Sequence, residues 1–390
     1  MPRLLSVIVA VAFALVFAAP GAAQQTLRIG ELAVLTGPAG PPGIAMHNGR
    51  LLAIAEVNAR GGVKVGGVSH PLEMVHLDAP IPTEAIKAFE RLLTVEKVNL
   101  ILDGNLSSTQ YALGPVLKSK NALMIWSLGN DPETTVGVPN AFRNHFDGGI
   151  PLMKTTELFL KKMGVKRVVT YGQTGHADFK RFVEEYLPKV QGLELVASEW
   201  HAFGEKDFFP VLTKLKGLKF DAILTHGFAP DGINMLKQAR EIGLFPGPLW
   251  LGQYGASPWQ HDEASRKIWE GAYENLFSSW AVTTTPPEKS KKLFEAYSKR
   301  FGEQGFGPYA ETGWDSVFIL AKALEKAGTT TDIPKIIAAM RELTVQEIPE
   351  LTLQYKPGKL FDSDNQAYPV IIVAQWKDQK LVPVFSDYGK

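Results

Sequence analysis

Two short polar loops, each following a buried apolar run, are the first stretches of this sequence that could bind a ligand. The first loop follows residues 99–102 and contains Ser107 and Ser108 before a helix predicted to begin near Gln110. The second follows residues 122–126 and carries Asn130 before another predicted helix start. Free N–H groups at two neighbouring helix amino termini, beside hydroxyl and amide side chains, are typical of an anion site. Ordinary capped turns of an α/β protein have the same composition, so both interpretations stay open at this point.

Motifs of catalysis and of metal binding are missing from the sequence. It has no phosphate-binding glycine loop, no GxGxxG after a predicted strand and no nucleophile elbow. Its eight histidines are scattered singly, and none forms an HxxxH pair with a nearby carboxylate at zinc spacing. We therefore expect no enzymatic activity, no metal and no cofactor. His176 and His226 come just after predicted strands, where each could contact a ligand or face water.

The first residues of the chain predict export from the cytoplasm. Arg3 precedes an apolar run over 4–19, and Pro20 and small residues then predict a signal peptide cleaved after Ala23. A membrane anchor is the alternative, but the run is shorter than the ~20 residues of a spanning helix. The chain of 390 residues has no cysteine for disulfides, and its net charge of +1 does not indicate a nucleic-acid partner.

Strands and helices alternate along the chain in two successive blocks. In the first block, strands are predicted at 27–35, 71–77, 99–102 and 122–126, with helices at 46–59 and 83–97. In the second, strands are predicted at 167–171, 193–199, 220–225, 249–252 and 271–277, with helices at 151–163, 178–187, 208–215 and 231–242. Helices at 289–301, 310–327 and 333–341 and strands at 351–355 and 368–376 complete the chain. This alternation predicts an α/β protein with a parallel sheet in each block.

Parallel strands place the loops that follow them side by side at one edge of a sheet, where open α/β sheets bind ligands. Several aromatic residues fall in such loops and predict a flat apolar ligand, although burial in the core is the alternative for each of them. They are Trp126, Tyr171, Phe228, Tyr254, Trp259 and Trp314.

Several segments, taken in order, resemble one protein family. The opening LRIGELAVLTGPAGPPG and the segment HGFAPDGINMLKQAREIGLFPGPLWLG at 226–252 are similar to segments of the branched-chain amino acid (Leu/Ile/Val-binding) type of periplasmic binding proteins. KVNLILDGNLSSTQ, MIWSLGNDPETT, AFRNHF and WHAFGEKDFFPVLTKLK also resemble family segments. These proteins are the solute receptors of ABC importers. The resemblance covers most of the chain and implies the type I fold, in which two lobes, each a parallel-rich sheet flanked by helices, close by a hinge.

The resemblance also implies how the chain is divided and what it works with. Three hinge crossings are expected near 144–146, 277–280 and 353–356. Lobe 1 would then comprise 26–145 and 279–353, and lobe 2 would comprise 146–278 and 354–390, after a signal peptide at 1–23. A periplasmic monomer is expected that delivers a small molecule to permease and ATPase subunits in the inner membrane. A ligand sensor of the same fold is the alternative.

The family's ligand contacts can be carried over position by position. In the first lobe the carboxylate-binding loops match Asn105, Leu106 and Ser107 and then Leu128, Gly129 and Asn130, and a further contact matches Pro42. In the second lobe, aromatic contacts match the position of Gly175 or His176 and that of Phe228. An acidic residue of the family stands two positions after the glycine of LGQYG, and this chain has Tyr254 there.

That last departure suggests a ligand without an ammonium group. Members that bind α-amino acids use the acidic residue to pair with the ammonium, and Tyr254 has no charge. We therefore predict an aromatic acid such as a benzoate or a hydroxycinnamate. Asn130 and Ser107 would bind its carboxylate, Phe228 and Tyr254 its ring.

His176 or His226 would contact a hydroxyl group of that ring. The alternative is that Glu311 or Asp231 supplies the partner of an ammonium group, and the ligand is then a branched-chain or other hydrophobic amino acid.

Overall fold

The computed structural model describes residues 25–37, 40–227, 229–253, 263–277, 288–303 and 305–386 of the chain. The expected signal peptide at 1–23 lies outside these residues, as do Phe228, Tyr254 and Trp259. Among the helices of the described ranges, none is both long enough and apolar enough to cross a membrane.

The first lobe is built on a sheet of five parallel strands. In chain order its elements are β1 (Leu27–Ala33), α1 (Gly40–Ala59), β2 (Val63–Val65), β3 (Val68–His70), β4 (Leu72–Asp78), α2 (Pro82–Thr94), β5 (Leu100–Gly104), α3 (Ser107–Lys118), β6 (Leu123–Trp126) and β7 (Ala141–Arg143). The strand order is β4-β1-β5-β6-β7, and β2 and β3 form a separate hairpin. All neighbouring strands of the large sheet are parallel, which confirms the predicted α/β class.

Helices cover both faces of this sheet, and the strand sequences reflect it. All five residues of β5 are buried. Leu100 and Leu102 belong to the core that includes α1, whereas Ile101 between them belongs to the core under α2 and α3. A strand covered on both faces needs a continuous apolar run, which is why 99–102 was recognisable in the sequence.

The second lobe repeats the arrangement. Its elements are α4 (Ile150–Lys162), β8 (Arg167–Gln173), α5 (Ala177–Arg181), β9 (Glu194–His201), α6 (Phe209–Lys216), β10 (Ala222–His226), α7 (Ala229–Glu241), β11 (Leu249–Gln253), α8 (Glu263–Trp269), β12 (Tyr273–Leu276) and, near the end of the chain, β13 (Ile372–Lys377) and β14 (Lys380–Ser386). The strand order is β14-β13-β12-β11-β10-β8-β9. The strands β8 to β12 are parallel, and β13 and β14 add an antiparallel edge.

Between the two parts of the second lobe, three helices return to the first. They are α9 (Glu288–Phe301), α10 (Pro308–Ala327) and α11 (Ile333–Arg341). Ile319 of α10 and Ile336 of α11 share one core with Ile29 of β1. The first lobe is therefore completed by chain that follows the second block of strands, as the family resemblance implies.

The chain returns to the second sheet later than expected. Phe361 is buried in the core of the first lobe, and Gln366 pairs with the end of β7. The strand predicted at 351–355 is not among the strands of the described residues, because its apolar side chains enter that same core from an irregular segment. The second sheet resumes at Ile372, so the return expected at 353–356 instead follows Gln366.

The helices α1 and α10 pack with their backbones in direct contact at two glycines. A Cβ built on Gly49 would overlap the backbone oxygen of Ala310, and one on Gly313 would overlap that of Met46. Any side chain at either position would push the two helices apart.

We expect the substitution Gly49→Ala to lower the free energy of unfolding by about 1–3 kcal/mol, because overpacking displaces a helix from a close-packed core. Urea unfolding followed by circular dichroism would measure the change. Gly217→Ala is the control, since Gly217 has a φ of −73° and the nearest atom to its Cβ would lie 3.3 Å away. An unfolding midpoint of Gly49→Ala equal to that of Gly217→Ala would contradict this account of the packing.

Candidate ligand-binding cleft

The loops after β5 and β6 in the first lobe face the loop after β8 in the second across a closed cleft. One cavity lies between them, and six of the residues predicted from the sequence line it. The lining consists of Leu106, Ser107, Leu128, Gly129, Asn130, Gly175, His176 and Tyr309. Gly175, the other residue that could match the family's aromatic contact, also lines this cavity. The topology therefore brings these separate segments together as expected for parallel sheets.

Ser107 joins the two first-lobe loops. The helix α3 begins at Ser107, earlier than predicted, and no side chain caps it. The Ser107 Oγ instead accepts hydrogen bonds from the N–H groups of Asn130 and Asp131, each at 3.1 Å. The second predicted helix start is a single 3₁₀ turn over Pro132–Thr134. The cleft thus has one α-helical amino terminus from these loops, with Ser107 linking it to the Asn130 loop.

Asn105 supports this loop and is not one of the cavity-lining residues. Its Nδ2 donates to one carboxylate oxygen of Asp103 at 2.6 Å, and the Nε2 of Gln110 donates to the other at 3.1 Å. Arg50 donates to the backbone oxygen of Asp103 at 2.8 Å. Burial raises the pKa of Asp103 to about 6, although the bonds from Asn105 and Gln110 oppose the rise. This buried network holds the backbone that presents Leu106 and Ser107.

Other predicted contacts lie away from the cavity. Pro42 is buried in the first turn of α1 and does not line it. Three of the aromatic residues assigned to the cleft lie in or against the cores: Trp126 lies under α2 and α3, Tyr171 lies in the core of the second lobe, and the half-buried Trp314 packs against the first-lobe core and donates to the backbone oxygen of Glu350. The aromatic prediction is wrong for these three, because their strands and helices direct them into the cores.

A buried carboxylate that sequence reasoning missed lies on the second-lobe side of the cleft. Asp178, in the first turn of α5, is 1% exposed. Its Oδ2 accepts a hydrogen bond from the Nδ2 of Asn130 at 2.8 Å, across the cleft, and lies 3.6 Å from the Nε2 of His226. Burial alone would raise the pKa of Asp178, but its interactions with His226 and His176 outweigh burial and hold that pKa below its usual value. Asp178 is therefore an anion beside the cavity.

Two of the histidines that appeared scattered in the sequence, His176 and His226, converge on Asp178. The Nε2 of His176 lies 3.0 Å from the Oε1 of Gln173, whose Nε2 donates to Asp231. The rings of His176 and His226 are 4.2 Å apart. Burial lowers the pKa of His176 to about 3, so this ring is neutral at neutral pH. The sequence has no HxxxH pair with a nearby carboxylate, and it is the fold that places His176 and His226 beside Asp178, because β10 brings His226 next to the loop after β8.

A cluster of aromatic side chains lies near the first crossing, next to the first-lobe side of the cavity. His145, in the first crossing, packs on Phe146 and Phe277 with ring centroids 4.6 Å away in each case. It also stacks on Tyr309 at 6.0 Å, and Tyr309 lines the cavity. Sequence reasoning missed Tyr309 because it opens α10, far along the chain from the other lining residues.

Neither carboxylate that the sequence offered as an ammonium partner lines the cavity. Glu311 accepts a hydrogen bond from the Oγ of Ser290 at 2.8 Å inside the first lobe. Asp231 accepts from Gln173 and from the N–H of Gly204, the latter at 3.1 Å. Asp178, by contrast, accepts a hydrogen bond from the cavity-lining Asn130.

Comparisons with known proteins agree with this fold. The family model described as periplasmic binding protein matches residues 26–380. A Leu/Ile/Val-binding protein homolog of Brucella abortus is 26% identical over 97% of this chain and 96% of its own length. The leucine-, isoleucine-, valine-, threonine- and alanine-binding protein of Pseudomonas aeruginosa is 24% identical, over 85% of this chain and 86% of its own.

Solved structures share the fold. The branched-chain amino acid substrate-binding protein LivJ of Streptococcus pneumoniae, in complex with isoleucine, superposes with a TM-score of 0.77 at 23% identity, covering 93% of this chain and 100% of its own. A solute-binding protein of Rhodopseudomonas palustris in complex with p-hydroxybenzoic acid gives 0.77 at 19% identity, covering 93% of this chain and 97% of its own.

The proteins of this family are the non-enzymatic solute-binding components of ABC transporters. The match of nearly the whole chain and the two sheets joined by crossings lead to one conclusion: the chain belongs to the periplasmic binding protein family and has its two-lobed type I fold.

Proposed function

We propose that this chain is the solute receptor of an ABC importer and that its cleft binds a small hydrophobic α-amino acid. The observation that carries the proposal is the anionic Asp178 bonded to Asn130 at 2.8 Å. A simple carboxylate held at Asn130 would bring a second negative charge next to Asp178 in a buried site, which is strongly unfavourable. An α-amino acid carries its own ammonium group for Asp178 and a carboxylate for the opposite side of the cleft.

The first lobe supplies donors for that carboxylate. The amino terminus of α3 at Ser107 favours an anion, and the Asn130 side chain and the Ser107 hydroxyl lie on the same cavity wall. A ligand in this position would place its carboxylate against the first lobe and its ammonium against the second. Binding would therefore join the two lobes.

The remaining walls suit an apolar side chain. Leu106, Leu128 and Tyr309 line the cavity. The two curated relatives compared above are named for binding leucine, isoleucine and valine. These names support a hydrophobic amino acid as the ligand of this chain.

An aromatic acid, the ligand predicted from the sequence, is the second candidate. The stacking of His145 on Tyr309 beside the cavity favours a flat ring, and the Rhodopseudomonas palustris structure holds p-hydroxybenzoic acid. A hydroxyl group on the ring could donate to Asp178, which lies next to His176 and His226, the two partners expected for that hydroxyl from the sequence. A benzoate without a hydroxyl would leave Asp178 without a donor from the ligand, so a hydroxybenzoate or hydroxycinnamate fits better.

Closing the cleft also forms an ion pair between the lobes. The Nη1 of Arg181 in α5 donates to the Oδ1 of Asp131 at 3.0 Å and lies 3.4 Å from a carboxylate oxygen of Glu133. Asp131 follows Asn130 in the cavity loop. Because its two partners belong to different lobes, this pair stabilises the closed arrangement over an open one.

The substitution Asp178→Asn should separate the two candidate ligands. If an amino acid binds, the neutral amide leaves the ammonium without a buried counter-charge, and we expect affinity to fall on the order of 100-fold, the equivalent of about 3 kcal/mol. Isothermal titration of the mature chain with leucine, valine, phenylalanine, 4-hydroxybenzoate and 4-coumarate would measure it.

Asp364→Asn, the same chemical change at an exposed aspartate of the first lobe, is the control and should leave affinity unchanged. The amino acid proposal fails if no amino acid on the panel binds the unmodified chain. It fails equally if an aromatic acid binds and Asp178→Asn binds that acid as well or better.

We expect Arg181→Gln to weaken solute binding roughly fivefold, because a partly exposed ion pair that favours closure contributes about 1 kcal/mol. Small-angle scattering should also show a larger radius of gyration for this variant without solute. The control is Lys180→Gln, since Lys180 lies 3.9 Å from Glu184 within the second lobe. Identical affinity and scattering for the two variants would show that Arg181 does not stabilise the closed state.

A further inference from the structure

We propose that the second lobe contains a binding site for a divalent transition metal ion, best matched by Zn²⁺, formed by His176, Asp178 and His226. One ligand atom from each of the three lies within 4.8 Å of the other two. The residues are 8%, 1% and 1% exposed. Two imidazoles and one carboxylate are a donor set that zinc binds while keeping a further coordination position.

The spacing within the cluster suits a shared ion. The Nε2 of His226 and the Oδ2 of Asp178 are 3.6 Å apart, which is long for a hydrogen bond. Two donors on one tetrahedral zinc ion, at about 2.0–2.2 Å from the metal, are separated by roughly 3.4 Å. Small rotations about the side-chain bonds would bring the three donors to that spacing.

The surroundings of His176 provide a second, independent indication. Its Nε2 lies 3.0 Å from the carbonyl oxygen of the Gln173 side chain, and the amide nitrogen of Gln173 donates to Asp231. In the neutral ring this chain of bonds puts the proton on Nε2 and the lone pair on Nδ1. Histidines that ligate metals are commonly oriented in this way by a partner on the other ring nitrogen.

The carboxylate also has capacity for a further bond. The Oδ2 of Asp178 accepts from Asn130, but its Oδ1 is buried and has no hydrogen-bond partner among the residues that the structure describes. A buried carboxylate oxygen without a donor is costly, and a metal ion held by both carboxylate oxygens would satisfy Oδ1 while sharing Oδ2 with the His226 side.

This inference goes beyond the proposed function and does not depend on it. All three ligands belong to the second lobe, so the metal site would be present whether the cleft is open or closed. It shares Asp178 with the proposed solute site, and a bound metal ion and a solute ammonium would compete for that carboxylate.

The test is a zinc titration without any solute, so that its outcome is separate from that of the solute panel. The mature chain, without a polyhistidine tag, is freed of metal with a chelator, desalted and titrated calorimetrically with zinc chloride. We expect one zinc ion per chain with micromolar or tighter affinity. His176→Gln, His226→Gln and Asp178→Asn should each weaken binding at least about tenfold.

The control variant is His70→Gln, which removes a half-buried first-lobe histidine bonded to the backbone oxygen of Gln25 and should bind zinc normally. Circular dichroism shows whether each variant is folded, and the isosteric Asp178→Asn removes a ligand with the least change of shape. Two results would overturn the proposal. One is the absence of saturable binding below millimolar zinc, and the other is binding that all three substitutions leave unchanged.

Discussion

The negative charge of Asp178 constrains everything that this cleft can hold. A carboxylate that is almost fully buried must be matched by a cation or by strong donors, because an unmatched buried charge is costly enough to shift its own pKa. Here that pKa stays low, and the polar neighbours of the carboxylate include the Nδ2 of Asn130, which donates to it, and the Nε2 of His226 at 3.6 Å. His176 is neutral, since burial lowers its pKa to about 3. Under the proposed function, a solute is therefore selected by the cation or hydrogen-bond donor that it places against Asp178.

The fold supports this carboxylate from both sides by buried polar networks. On the first lobe, Arg50, Asn105 and Gln110 converge on Asp103 and hold the loop that presents Ser107. On the second, Gln173 and Asp231 orient His176. Hydrogen bonds of this kind hold buried loops in one arrangement, although the Oδ1 of Asn105 has no hydrogen-bond partner among the residues that the structure describes. Under the proposed function, the solute and the Arg181 ion pair would together set how far the two lobes close.

Much of this could be predicted from the sequence. Continuous apolar runs marked the strands, because sheets covered on both faces bury both sides of a strand. The loops that follow those strands were predicted to contact a solute. The structure places their residues around one cavity: Leu106 and Ser107, Leu128 to Asn130, and His176.

The interactions between loops could not be predicted in the same way. In the sequence, Asp178 is an ordinary acidic residue in the first turn of a predicted helix. Its hydrogen bond with Asn130 joins the two lobes, so only the three-dimensional structure of the closed cleft shows it. Tyr309 reaches the site through helix packing, which no local spacing encodes. His226 was a candidate contact in the sequence, but its approach to Asp178 depends on the order of the strands. Trp126 was misassigned because a residue at the end of a strand can point to either face. Residues 351–355 resemble a strand, yet their side chains pack into the first lobe without joining a sheet.

The central claim is that the solute brings the positive charge that matches Asp178. Calorimetric titration of the preferred solute at pH 7.5, in two buffers with different enthalpies of ionisation, counts the protons exchanged on binding. A zwitterion that pairs with an already ionised Asp178 should bind without net proton exchange, so the binding enthalpy should be the same in both buffers. Uptake of close to one proton would contradict the account, because it would mean that the site must be protonated to accept a solute that carries only negative charge.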